Sequence, residues 1–140
     1  MKPFSLGTVI TLALNALSGQ PVQQAVRTDL TCVESMAVPQ YDGLAWVARF
    51  SGMARVLVSV GTNGAPASID VQSSSEPLMR WLQSSLKDAR FSTQCAGQTI
   101  EVNLIYELRG EPLPFPHNKT RLKSVNTFEV LSNPPIPIQP

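Results

Sequence analysis

The stretch GMARVLVSVGTNGAPASIDVQ, residues 52–72, decides the reading of the fold. From Met53 to Val60 the apolar residues Val56, Val58 and Val60 fall on one face. Arg55 and Ser59 fall on the other, the period-two signature of a half-buried strand. Leu57 interrupts the alternation. Thr62-Asn63-Gly64 follows, and Asn and Gly tolerate the positive backbone angles of tight hairpin turns. Ala67, Ile69 and Val71 then resume the apolar face, with Ser68, Asp70 and Gln72 opposite. The segment is an antiparallel hairpin with one wet face.

Downstream, Ser73-Ser74-Ser75 supplies helix caps, and Glu76 and Pro77 suit a first helical turn. Leu78, Leu82, Leu86 and Ala89 form one helical stripe, widened by Trp81, while Arg80, Gln83, Lys87 and Asp88 face water. Phe91 to Gly97 reads as a connecting loop. Thr99 to Arg109 reads as a long strand, with Ile100, Val102, Leu104, Tyr106 and Leu108 on one face. Glu101, Asn103, Glu107 and Arg109 share the other face, with Ile105 as its apolar exception. Upstream, Pro39-Gln40-Tyr41 is extended. Asp42 caps a short helix over Leu44 to Ala48. The order helix, strand, strand, helix, strand predicts an α+β domain: a small antiparallel three-stranded sheet packed on two helices.

Residues 1–25 read as a signal peptide. Lys2 precedes an apolar run through Leu17, and Ser18 and Gly19 offer a cleavage point. The run is short for a membrane span of ~20 residues. The expected location is therefore the periplasm, or the inner membrane if the leader stays attached as an anchor. Residues 26–110 form the expected domain. Seven of the 12 prolines lie beyond Gly110, so residues 111–140 read as a Pro-rich extended tail without a core of its own. Within it, Asn126 to Leu131 is a short accessory strand. Cys32 and Cys95 are the only cysteines. An oxidising compartment would join them in a disulfide, and two free thiols are the alternative.

Several words of residues 39–110 resemble the C-terminal domain of TonB. Pro39-Gln40-Tyr41 resembles the family's entry motif, although Asp42 stands where a second Pro is usual. Gly52 with Val56, Val58 and Val60 resembles its first strand, and Asn63-Gly64 its turn. Ala67-Ser68-Ile69-Asp70-Val71 is similar to its second strand, Ala89-Arg90-Phe91 to its helix exit, and Gly97 to Leu108 to its last strand. No Pro-rich spacer of the kind TonB uses to cross the periplasm separates the leader from the domain. The resemblance implies a fold and a binding role more than energy transduction. It implies that the last strand accepts a peptide strand at its edge, through Thr99, Glu101, Asn103, Ile105 and Glu107, with Gln40 and Tyr41 nearby. The implied partners are extended protein segments of the cell envelope, with TonB-dependent outer-membrane receptors among them. A homodimer through the same edge is the rival reading, as is coverage of that edge by the chain's own tail.

Charge and motifs limit the other classes. Eleven basic residues against 10 acidic ones leave no field to steer the chain onto nucleic acid. One histidine and two distant cysteines do not meet the spacing of a metal site, and no cofactor-binding loop is present. His117 lies in the Pro-rich tail with no evident acid partner, so it reads as a solvated residue. Glu101 and Glu107 share a strand face but lie about 20 Å apart by strand rise, too far for an acid/base pair. Binding without catalysis is the expectation.

Overall fold

A computed structural model describes residues 26–137. The signal-peptide reading falls on residues outside that range. The hairpin opens the main sheet: β3 (Gly52–Val60) pairs antiparallel with β4 (Pro66–Gln72), with Val56 opposite Val71 and Val58 opposite Ile69. Gly64 makes the turn possible. Its φ is +84°, and a Cβ there would clash with the carbonyl oxygen of Phe91. That close approach lets the Phe91 N–H donate to the Gly64 carbonyl at 2.8 Å. Asn63 contributes its side-chain oxygen, which accepts from the Ala65 N–H at 3.0 Å.

The expected three-stranded sheet is not what forms. The strand β6 (Thr99–Leu108) pairs antiparallel with β3, but it has a second neighbour. From the C-terminal region, β7 (Lys119–Ser124) and β8 (Thr127–Ser132) form a hairpin, and β8 lies parallel to β6 with Leu104 opposite Phe128 and Tyr106 opposite Val130. A short β1 (Val26–Arg27) pairs parallel with the start of β6. The result is a mixed six-stranded sheet, ordered β4-β3-β6-β8-β7 with β1 beside β6. A second sheet of two strands joins β2 (Val33–Ser35) to β5 (Arg90–Phe91). The physical reason for the correction lies in Phe128 and Val130. These two apolar residues extend the core face that β6 cannot complete alone, and Val130 is fully buried. The region beyond Gly110 therefore belongs to the domain and supplies part of its core. The accessory strand is an interior strand.

The helices cover one face only. Helix α1 (Gly43–Val47) is a single turn capped by Asp42, whose carboxylate accepts from the N–H groups of Leu44 and Ala45. Helix α2 (Glu76–Ser85) starts at Ser75, whose hydroxyl accepts from the Leu78 N–H. Helix α2 packs on β4, and Leu78 and Leu82 are buried with Val56, Val58, Ile100 and Leu104 in one core. Each fully buried leucine stabilises the fold by roughly 1.5–3 kcal/mol. A 3-10 turn, Leu86–Asp88, extends α2 and buries Leu86. Among the described residues no helix lies on the opposite sheet face, which accounts for the polar alternation of Arg55, Glu101, Asn103 and Glu129.

Cys32 and Cys95 are joined in a disulfide across 63 residues of sequence, with both residues buried. Bonds of this kind persist in oxidising compartments. No helix among the described residues is long and apolar enough to cross a membrane.

Candidate functional site

The main-chain direction of β6 follows from its neighbours. Val60 bonds toward the β6 side, through Gln98 and Gly97. Strand alternation then turns Ile100, Val102, Leu104 and Tyr106 toward β3. Thr99, Glu101, Asn103, Ile105 and Glu107 turn the other way, and that flank is occupied by the chain itself. Thr99 lies opposite Val26 of β1. The Glu101 carbonyl accepts from the Asn126 side chain at 3.2 Å, and the Asn103 N–H donates to the Asn126 carbonyl at 2.8 Å. From Asn103 to Leu108 the partner is β8, and the Arg109 N–H donates to the Ser132 carbonyl. The strand expected to offer an edge, to a peptide or to a second copy, is an interior strand.

The side chains of the same residues form a charge lattice on the uncovered face. Arg55 donates to Glu101 at 2.7 Å, and Asn103 donates to the second Glu101 oxygen. Arg109 grips Glu107 through two nitrogens. Arg121 and Lys123 both pair with Glu129. In each case the hydrogen bond from arginine is the main reason the carboxyl sits below its ordinary range: Arg55 for Glu101, Arg109 for Glu107, Arg121 for Glu129. Ile105 stands half-buried among them.

Gln40 and Tyr41 separate. Gln40 is exposed, and its carbonyl accepts a long 3.5 Å bond from the Tyr106 hydroxyl. Tyr41 is a core residue: its ring stands edge-on to Tyr106 at 5.0 Å, and its hydroxyl donates to the Phe50 carbonyl at 2.6 Å. Burial raises both tyrosine pKa values above the ordinary range. Tyr41 holds the entry segment against the sheet and has no surface to offer a peptide.

Among the described residues the long edge strands of the sheet are β4 and β7, and the two-residue β1 is a third, short edge. The β7 edge carries Lys119, Arg121 and Lys123, the pattern that keeps an edge from pairing. The β4 edge is different. Ser59 and Leu57 turn their main chain toward β4, so Ser68 and Asp70 bond inward and Ile69 presents its N–H and carbonyl outward, while Val71, turned the same way, is buried. Apart from its ladder with β3, β4 receives no backbone bond at Ala67 to Gln72 among the described residues. Beside this edge runs α2 with its 3-10 extension. Between them lies a cleft of about 500 Å³, lined by Pro66, Ala67, Ser68, Ile69, Gln83 and Lys87. Sequence reading placed Gln83 and Lys87 in water and missed the cleft, because sheet order is invisible in a strand's own alternation.

A second cleft, about 450 Å³ and wide open, contains His117 with Arg109, Glu111 and Lys119. The His117 N–H donates to Ser132 and Asn133, so this residue is pinned by its backbone to the end of β8. No bond links its imidazole to an acid or hydroxyl among the described residues, as a general base would need. Nor does any group of three His, Cys, Asp or Glu among them stand close enough to hold a metal.

No protein-family model matches the chain, and no curated protein or solved structure is detectably similar to it. The resemblance to the TonB C-terminal domain rests on the residues quoted for it.

Proposed function

We propose that this chain is a periplasmic protein-binding module that accepts an extended segment of another envelope protein as an added strand along β4. One observation carries the reading: β4 pairs with β3 on one side and with no strand on the other among the described residues, and a helix borders it, so an incoming strand meets main-chain partners on one side and a side-chain wall on the other. In strand addition, main-chain bonds supply affinity and flanking pockets supply selectivity. Val71 is buried, and beside it the outward N–H and carbonyl of Ile69 offer about two hydrogen bonds. At ~1 kcal/mol net each, they support weak, reversible association once ordering costs are met. The leader-like run at residues 1–25 and the Cys32–Cys95 disulfide support an exported location. The role is binding, with the site moved from the last strand, which β8 fills, to the first free edge.

The test is selection of the full chain against a display library of random peptides of roughly ten residues, the upper range of a strand. Selected peptides should shift the amide resonances of Ile69 and Val71. Ile69→Pro should abolish binding while keeping the fold, because Pro is tolerated on an edge whose N–H faces outward. Ala67→Trp, which fills the cleft without touching the ladder, should do the same. Peptides that bind both variants as well as they bind the parent chain would sink the reading.

A further inference from the structure

Two charges flank the open edge, one on each face of the sheet. Lys87 lines the cleft on the helix side and has no ion pair among the described residues. Asp70 stands opposite Leu57, on the uncovered face, and among the described residues its side chain takes a 3.3 Å bond from Gln72 on its own strand and no ion pair. On the same face Arg55 pairs with Glu101, Arg109 with Glu107, and Arg121 and Lys123 with Glu129, while Lys119 stands without an ion pair among the described residues at the far β7 edge. Asp70 and Lys87 thus both stand at the β4 edge, which has no further strand beside it among the described residues.

Resting on the strand-addition reading, we infer that the segment bound along β4 carries an acidic residue facing Lys87 and a basic residue facing Asp70. Successive side chains of a strand point to opposite faces, so the acid and the base must stand at an odd sequence separation. The position opposite Asp70 is a non-hydrogen-bonded pair, because the Asp70 main chain turns inward to β3. Side chains approach most closely in such pairs. Between the charges, the half-buried Ile69 and the exposed Ala67 favour a small apolar side chain on the cleft face. A second copy of β4 does not fit: its only charge is another Asp70, and like charges near one another on a face repel.

The test repeats the peptide selection on the full chain and on two charge reversals, Lys87→Glu and Asp70→Lys. The parent chain should enrich peptides with acid and base at odd spacing. Lys87→Glu should exchange the preferred acid for a base at the cleft-facing position alone. Asp70→Lys should exchange base for acid at the other position alone. For one synthetic peptide, each reversal should weaken binding about tenfold, from a lost attraction and a gained repulsion, and salt should narrow the difference. Both variants change exposed side chains and leave the core untouched. Peptides that need the β4 edge, by loss in Ile69→Pro, yet keep the same charge pattern in both reversals would overturn the inference and leave strand addition standing. Failure to enrich any peptide would overturn both. Mass that grows with concentration and is suppressed by Arg121→Glu would also overturn it, by placing the basic β7 edge of another copy against Asp70.

Discussion

The indole N–H of Trp46 donates to the main-chain carbonyl of Asn133 at 2.6 Å, across 87 residues of sequence. Beside it, Arg49, in the left-handed region at φ 58°, donates to the Pro135 carbonyl at 3.0 Å. Helix α1 is thus bolted to the segment after β8, and the Pro-rich end of the chain is held by side chains from the start of the domain. Trp46→Phe keeps an aromatic ring but leaves a buried carbonyl without its donor, which costs about 1–3 kcal/mol. Urea unfolding should show a lower midpoint with an unchanged slope. An unchanged midpoint would mean the bond does not persist in solution.

Removing residues 111–140 should do far more than trim a tail. It strips β8 from β6 and exposes the core around Leu104 and Tyr106, which Phe128 and Val130 cover. Loss of the buried Val130 and half-buried Phe128 side chains alone removes about 3 kcal/mol or more. The truncated chain should lose cooperative unfolding, and the Asn103 and Ile105 amides should lose their protection from hydrogen exchange. A truncated chain with the parent's unfolding midpoint would show that the hairpin is a mere appendage.

The Cys32–Cys95 bond closes most of the domain. On the chain-entropy account, a loop spanning 63 residues of sequence stabilises the fold by about 4 kcal/mol. Cys32→Ala with Cys95→Ala, or reduction under denaturant, should lower stability by that order. A shift below about 1 kcal/mol would contradict the account, since both residues are buried where the substitution leaves little strain to relieve.

Acid should destabilise the protein through its three paired glutamates. The folded pKa values of Glu101, Glu107 and Glu129 lie below the ordinary glutamate value. Their stabilisation is therefore fully present above the unfolded value of about 4.3 and is lost as pH falls through the lower folded values. Glu129 is the least solvent-screened, with 9% of its side chain exposed against 17% for Glu101 and 42% for Glu107. Glu129→Gln should flatten the fall in melting temperature between neutral pH and pH ~3 more than Glu107→Gln does. Equal slopes in both variants would refute the ranking.

Alternation of Val56, Val58 and Val60, the Asn63-Gly64 turn, the Ser75 cap and the Leu78–Leu82 stripe were each legible, because each is a contest among neighbours within a few residues. Even there the turn held a detail the sequence hid. Gly64 takes the positive angle and Asn63 does not, its part being the bond to Ala65.

Sequence alone determined the two long helix and strand runs and the hairpin between residues 43 and 108, which of their faces are apolar, and that two cysteines were available to pair; it read β5 (Arg90–Phe91) and the 3-10 turn Thr93–Cys95 as loop. It did not fix the order of the strands. Whether β6 ends the sheet or lies inside it depends on whether a segment some twenty residues later can bury Phe128 and Val130 beside Leu104 and Tyr106. Periodicity carries no information about such partners, since a strand's alternation is the same at an edge and in the middle. Only the packed tertiary structure closed the β6 flank and left β4 open, and with that choice it moved the available row of amides and carbonyls from one end of the domain to the other.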